Sequence, residues 1–177
     1  MSKNSGLTKK ITRAGVIAGL YAVTSLITAP IASGAVQVRL SEALCMLALI
    51  LPEAIPALFV GCALSNLITG CAPLDIALGS VVTLIASVMT YLVGKGIKNN
   101  AVKIFIGGLF PVMLNALILP LIWSLCYGAG EYIYIVQAVL LLVGQSISVY
   151  GLGIPLIFTM EKSKKITVET LKTNKKY

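Results

Sequence analysis

The sequence predicts an all-α membrane protein, a bundle of six transmembrane helices with both termini in the cytoplasm. Three observations lead to it. Of the 177 residues, 58% are apolar and only 11% charged, against about 25% charged in a soluble domain. The apolar residues form runs of bilayer-spanning length, with the polar residues gathered between them. The basic residues cluster at the termini and in one loop, which is the pattern of membrane topology. The chain divides into a basic N-terminus (1–13), one transmembrane domain (14–160) and a lysine-rich tail (161–177), both end segments cytoplasmic.

Lys3, Lys9, Lys10 and Arg13 precede an apolar run over 14–32. The run exceeds the roughly 7–15 residues of a signal-peptide core, so it reads as a retained first helix. Residues 41–70 form one span or two, depending on the Leu51-Pro52-Glu53-Ala54-Ile55-Pro56 stretch. Proline inside a helix removes a hydrogen bond and clashes with the preceding turn, so two prolines around a glutamate read as a turn. Further spans lie at about 74–93, 104–125 and 133–158, and the tail from Glu161 reads as solvated and partly disordered.

Topology decides the count. With six spans, Lys3, Lys9, Lys10 and Arg13, the lysines Lys95, Lys98 and Lys103, and the six lysines of the tail all face the cytoplasm, leaving Arg39 as the one basic residue outside. Five spans would send the lysine loop and the tail outward, against the positive-inside rule. The six-span arrangement places Arg39, Glu42, Asp75 and Glu131 toward the outer ends and Glu53 at a cytoplasmic turn. The second helix is short for a span of about 20 residues, so it must tilt, start early or be shielded by its neighbours.

Several chemistries are disfavoured. There is no histidine, which removes the commonest general base and metal ligand. Cys45, Cys62, Cys71 and Cys126 lack Cys-x-x-Cys spacing and read as small buried hydrophobes. A Cys71–Cys126 disulfide is an open alternative. No phosphate-binding loop is present, and no nucleic-acid-binding motif appears, so the reading is of no catalytic residues, no metal and no cofactor. Acids near the span ends rather than the midplane also argue against ion-coupled transport.

Charged groups next to a bilayer core mark function, which singles out Arg39 and Glu42 in Val36-Gln37-Val38-Arg39-Leu40-Ser41-Glu42-Ala43-Leu44. Glu42 suits two parallel N–H donors, as on the amidine edge of a guanine-like ring. Asn66, Asn115, Gln137 and Gln145 offer both donor and acceptor. Asp75 and Glu131 add charge, while Trp123 and its neighbours Tyr127 and Tyr132 offer stacking faces. Each has a plainer alternative: an Arg39–Glu42 ion pair at a helix start, amides bonding between helices, aromatics in the interfacial belt. Ala14, Ala18 and Ala22, with Gly15 and Gly19, make a smooth strip on the first helix where another helix can approach.

Six helices of this size with four-residue alanine spacing resemble a substrate-binding S component of an energy-coupling factor (ECF) transporter. The Arg39-Leu40-Ser41-Glu42-Ala43 stretch followed by Pro52-Glu53-Ala54-Ile55-Pro56, together with residues 61–66 and 74–79, is similar to the QueT family of queuosine-precursor transporters. The resemblance covers about 12–161. It implies capture of queuine or a related 7-deazaguanine from outside, under a cap formed by 33–40. It further implies delivery on docking, through the alanine strip, to a transmembrane coupling subunit and two cytoplasmic ATPases. The competing expectations are a vitamin ligand such as riboflavin, biotin or thiamine on the same architecture, and a small membrane scaffold or oligomeric channel. An intramembrane enzyme ranks third, since no nucleophile–base pair is available.

Overall fold

The computed structural model describes residues 3–32, 38–128 and 131–173, and all its regular structure is helical. In order these are α1 (Lys3–Ala32), a 3-10 helix (Leu40–Leu49), α2 (Ala54–Ile68), α3 (Pro73–Gly96), α4 (Asn100–Tyr127), α5 (Glu131–Ser146), a π-helical turn (Ile147–Leu152) and α6 (Gly153–Thr173). α1, α3, α4 and the continuous α5–α6 rod are long and apolar enough to cross a membrane. The 3-10 helix and α2 are shorter. The Pro52–Glu53 break falls between them, as the sequence indicates.

Local chemistry sets the boundaries. Asn99 caps α4, its Oδ1 accepting from the N–H groups of Ala101 and Val102 at 3.0 and 3.3 Å, which satisfies orphan donors at a helix start. α4 ends at Gly128, whose φ of 74° only glycine adopts without cost. Pro73 opens α3, where its missing N–H is harmless.

Contacts between elements fix their directions. Arg13 pairs with Glu53 at 3.3 Å and Lys103 with Glu161 at 4.0 Å, defining a basic end. At the opposite end Arg39 reaches Asn66 and Trp123 reaches Asp75. The chain therefore runs back and forth in alternating directions between the two ends. Large apolar side chains such as Ile27, Leu92, Phe105, Leu125, Ile135 and Phe158 are exposed around the outside. In water so much exposed apolar surface would drive aggregation; against lipid it is the expected exterior.

The 3-10 helix occupies the centre. It touches α1, α2, α3, α4, the π turn and α6, and nearly every residue from Ser41 to Leu49 is buried. At about 2.0 Å rise per residue, against 1.5 Å for an α-helix, its ten residues extend roughly 20 Å. Its neighbours shield it along that length. Glycines let the neighbours close on it. A Cβ at Gly94 would collide with the Leu49 carbonyl, one at Gly107 would lie 2.6 Å from Leu49 Cδ2, and one at Gly153 2.6 Å from Met46 Cγ.

The tail departs from the expectation of disorder, because α6 continues through Glu161 to Thr173. Residues 162–173 include Lys162, Lys164, Lys165, Glu169, Leu171 and Lys172, side chains that lose little rotamer freedom in a helix.

Gly94→Ala should lower the thermal unfolding midpoint of the detergent-solubilised protein, because overpacking costs about 1–3 kcal/mol. Gly96→Ala, where a Cβ would meet nothing within 4 Å, should leave the midpoint unchanged or raise it.

Candidate functional site

The interior at the Arg39 end is polar, and its groups fall into levels along the bundle axis. At the mouth, Arg39 immediately precedes the 3-10 helix and donates from Nη2 to Asn66 Oδ1 at 3.1 Å. Asn66, on α2, is 2% exposed. Asp75 stands in the first turn of α3, where the helix dipole favours a carboxylate, and its Oδ2 accepts from the Trp123 indole N–H of α4 at 3.3 Å. Gly79, one turn further along α3, opens the space between these groups. A Cβ there would sit 3.4 Å from Asn66 Nδ2, 3.5 Å from Asp75 Oδ1 and 3.7 Å from Leu119 Cδ2.

One turn deeper lies Glu42, 1% exposed. In a 3-10 helix residues three apart eclipse one another, so Arg39, Glu42 and Cys45 share a face. Each oxygen of the Glu42 carboxylate takes one bond from the protein: Oε1 accepts from the Tyr21 hydroxyl of α1 at 2.5 Å, and Oε2 from the Cys45 thiol at 3.2 Å. Ser41 bonds Ser25 of α1 at 2.7 Å. Below Asn66, Thr83 donates to Cys62 Sγ at 3.4 Å.

The amides of α4 and α5 are different. Asn115 and Gln145 are buried to 1% and 0% exposure. Asn115 Nδ2, both polar atoms of Gln145 and the Oε1 of Gln137 are enclosed and have no hydrogen-bond partner among the described residues. Such atoms each cost about 1–3 kcal/mol, and native interiors hold few of them.

Of the residues singled out in the sequence, Arg39, Asn66, Asp75 and Trp123 thus come together at one mouth, with Glu42 beneath them. The suggested Arg39–Glu42 ion pair does not form. Among the described residues the ion pairs are Arg13–Glu53 and Lys103–Glu161, and Arg39 and Glu42 engage different elements. Among the amides, Asn66 of α2 bonds between elements, to Arg39 at the head of the 3-10 helix, whereas Asn115, Gln137 and Gln145 carry atoms with no partner among the described residues. Trp123 turns inward to Asp75 instead of joining an outer belt. The four cysteines are free thiols, so the Cys71–Cys126 bridge is not present. The side chain of Glu131, those of Tyr127 and Tyr132, and residues 33–37 of the expected cap lie outside the described residues. Ala14 and Ala18 border a surface groove with Gly15, Pro56, Ala57 and Val60, Ala18 being as buried at 9% exposure as Ala22 is at 8%. Among the described residues no three metal-ligating side chains converge.

Sequence reasoning missed Tyr21, Cys45, Gly79 and Thr83. Tyr21 had a signal: a phenol inside an apolar span needs a buried acceptor. It sits on the same helix face as Ala18, against Gly61, where a Cβ would lie 2.8 Å from Tyr21 Cβ.

An apolar-coated helical bundle that buries charged and amide groups on its axis is a multi-pass membrane protein able to handle a small polar solute. The family model of the QueT transporters matches residues 11–162, so the chain belongs to the QueT transporter family. That membership makes it a transporter, not an enzyme, acting on a small molecule in a lipid bilayer. No curated protein and no solved structure matches it.

Tyr21→Phe removes one donor from the buried Glu42 carboxylate and should lower stability by about 1–3 kcal/mol, seen as a reduced thermal midpoint. Tyr134→Phe, which removes an exposed bond to the Leu117 carbonyl, should change the midpoint much less.

Proposed function

We propose that this chain is the substrate-capture (S) component of an ECF-type importer for a queuosine precursor, queuine or a related 7-deazaguanine. In this reading the chain crosses the membrane six times with both termini in the cytoplasm. The Arg39 end then faces outward, and the basic end meets a transmembrane coupling subunit and two ATPases. Family membership, the basic residues gathered at one end, and a polar interior at the other support it. The observation that carries the binding role is the set of buried polar groups on α2, α3, α4, α5 and the 3-10 helix, of which Asn115, Gln137 and Gln145 keep atoms with no partner among the described residues. A scaffold or channel closed by self-association has no need of unmet donors and acceptors, which favours a ligand.

The chemistry suits the proposed substrate. Trp123 and the Arg39 guanidinium offer faces for a planar ring, and Asp75 is a carboxylate for a cationic amine arm. Glu42, with both oxygens engaged, supplies negative charge beneath Arg39 and holds the mouth together rather than taking the ring edge by itself. Glu131 stands at the start of α5 on the same end. The docking surface centres on Ala14 and Ala18, in a groove of about 270 Å³ between α1 and α2, with Ala22 contributing through the packing of α1 on α2.

Calorimetric titration of the detergent-solubilised protein with queuine should give tight one-to-one binding, with no heat from riboflavin. No heat with queuine or its 7-aminomethyl relative would cancel the substrate assignment, and binding of riboflavin, biotin or thiamine would replace it. Asp75→Asn should weaken binding about tenfold to a hundredfold, as expected for loss of a charged hydrogen-bond partner. Ala14→Leu should leave binding intact and abolish uptake by filling the groove; uptake that survives would move the docking face elsewhere.

A further inference from the structure

We infer that Asn115 and Gln145 form a neutral recognition level beneath the charged mouth. They receive an uncharged heterocyclic edge that carries an N–H donor beside an acceptor, so the substrate enters with this edge leading and its charged or polar arm trailing at Arg39 and Asp75. The inference rests on the substrate-site reading above and adds orientation and residue roles to it.

The placement follows from packing. Val112 of α4 and Val149 of the π turn belong to one buried cluster, with Met46 and Leu49. Ala116 and Leu119 of α4 and Leu141 of α5 belong to the next, toward the mouth. Asn115 lies between Val112 and Leu119 on α4, and Gln145 lies between Leu141 and Val149 on the neighbouring rod. The same two apolar layers bracket both amides, so they share a level. Leu119 also borders the space beside Gly79 that Asn66 and Asp75 face, which makes this level the continuation of the charged mouth one turn inward.

Two amides on adjacent helices at one level would ordinarily bond to each other. These do not, since Asn115 Nδ2 and both ends of Gln145 lack partners among the described residues. A primary amide presents a donor and an acceptor side by side, so the group that completes the level must present the complement: a lactam or amino-heterocycle edge. A carboxylate, which only accepts, or an ammonium, which only donates, would leave half of these atoms unmet. Gln137 lies eight residues, about two turns, nearer the mouth on α5, and its Oε1, unpartnered among the described residues, adds an acceptor on the way in.

The test uses a prediction that a merely structural amide cannot meet. Gln145→Met and Asn115→Leu preserve volume and remove the unmet polar atoms. Ligand-free full-length protein in detergent should therefore melt no lower than the wild type, while the Kd for queuine and for 7-aminomethyl-7-deazaguanine rises at least about tenfold, the loss of one satisfied hydrogen bond. Stable variants that bind as tightly as the wild type would overturn the inference and leave the substrate reading standing. If the wild type binds neither compound nor riboflavin, both readings fall together. Should Gln145→Met fail to fold, Gln145→Asn decides the matter: it keeps the amide but shortens its reach, and unchanged affinity there would equally overturn the assignment.

Discussion

A carboxylate on the axis of an apolar bundle has to be supplied with donors, and the burial of Glu42 organises much of this fold. Leaving it bare would cost several kcal/mol. The 3-10 winding brings Cys45 beneath it, and α1 is drawn close enough for Tyr21 to reach it. That approach is possible because Gly61 has no side chain where α2 backs onto Tyr21 and the Ala18 carbonyl. The glycines at 94, 107 and 153 make the same allowance at the other end of the 3-10 helix. Small residues on four surrounding helices thus follow from one central segment that is polar at its head and apolar at its foot.

The three polar levels are satisfied to different degrees, and that gradient carries the functional argument. Glu42 has each oxygen bonded to the protein. The mouth is partly complete: Arg39–Asn66 and Trp123–Asp75 are each joined by one bond, leaving further donors and acceptors on Arg39 and Asp75. The α4–α5 amides are incomplete. A fold selected only for stability would replace Gln145 with methionine or leucine and gain by it. Keeping a polar group that destabilises the empty protein makes sense where a ligand completes it.

Much of this was legible in the sequence, and for identifiable reasons. The long apolar runs and the Pro52-Glu53-Ala54-Ile55-Pro56 break give helix number and the place of the turn because proline and bilayer thickness act locally. Arg39, Asn66, Asp75 and Trp123 stand out because charge, amide and indole are scarce in such a chain. What the sequence could not convey is pairing. Arg39 and Glu42 are three residues apart and look like an ion pair, yet Arg39 finds Asn66 and Glu42 finds Tyr21, partners 27 and 21 positions away. The 3-10 winding was equally hidden, since an apolar run of ten residues carries no mark of its pitch. The tail misled because its lysines outweigh its apolar residues in composition, although straight-chain residues favour a helix.

α1 joins the surface to the interior. Ala14 and Ala18 line the groove against α2, and one turn further along the same face Tyr21 is bonded to Glu42. The groove floor and the Tyr21–Gly61 contact are successive parts of the same α1–α2 seam. Close-packed seams of this kind do not deform gradually; they hold one arrangement or shift to another. A partner helix entering the groove would press on this seam, and a shift of α1 relative to the 3-10 helix would draw the Tyr21 hydroxyl from the carboxylate beneath Arg39. The buried hydrogen bond that stabilises the empty bundle therefore lies between the proposed docking surface and the proposed site.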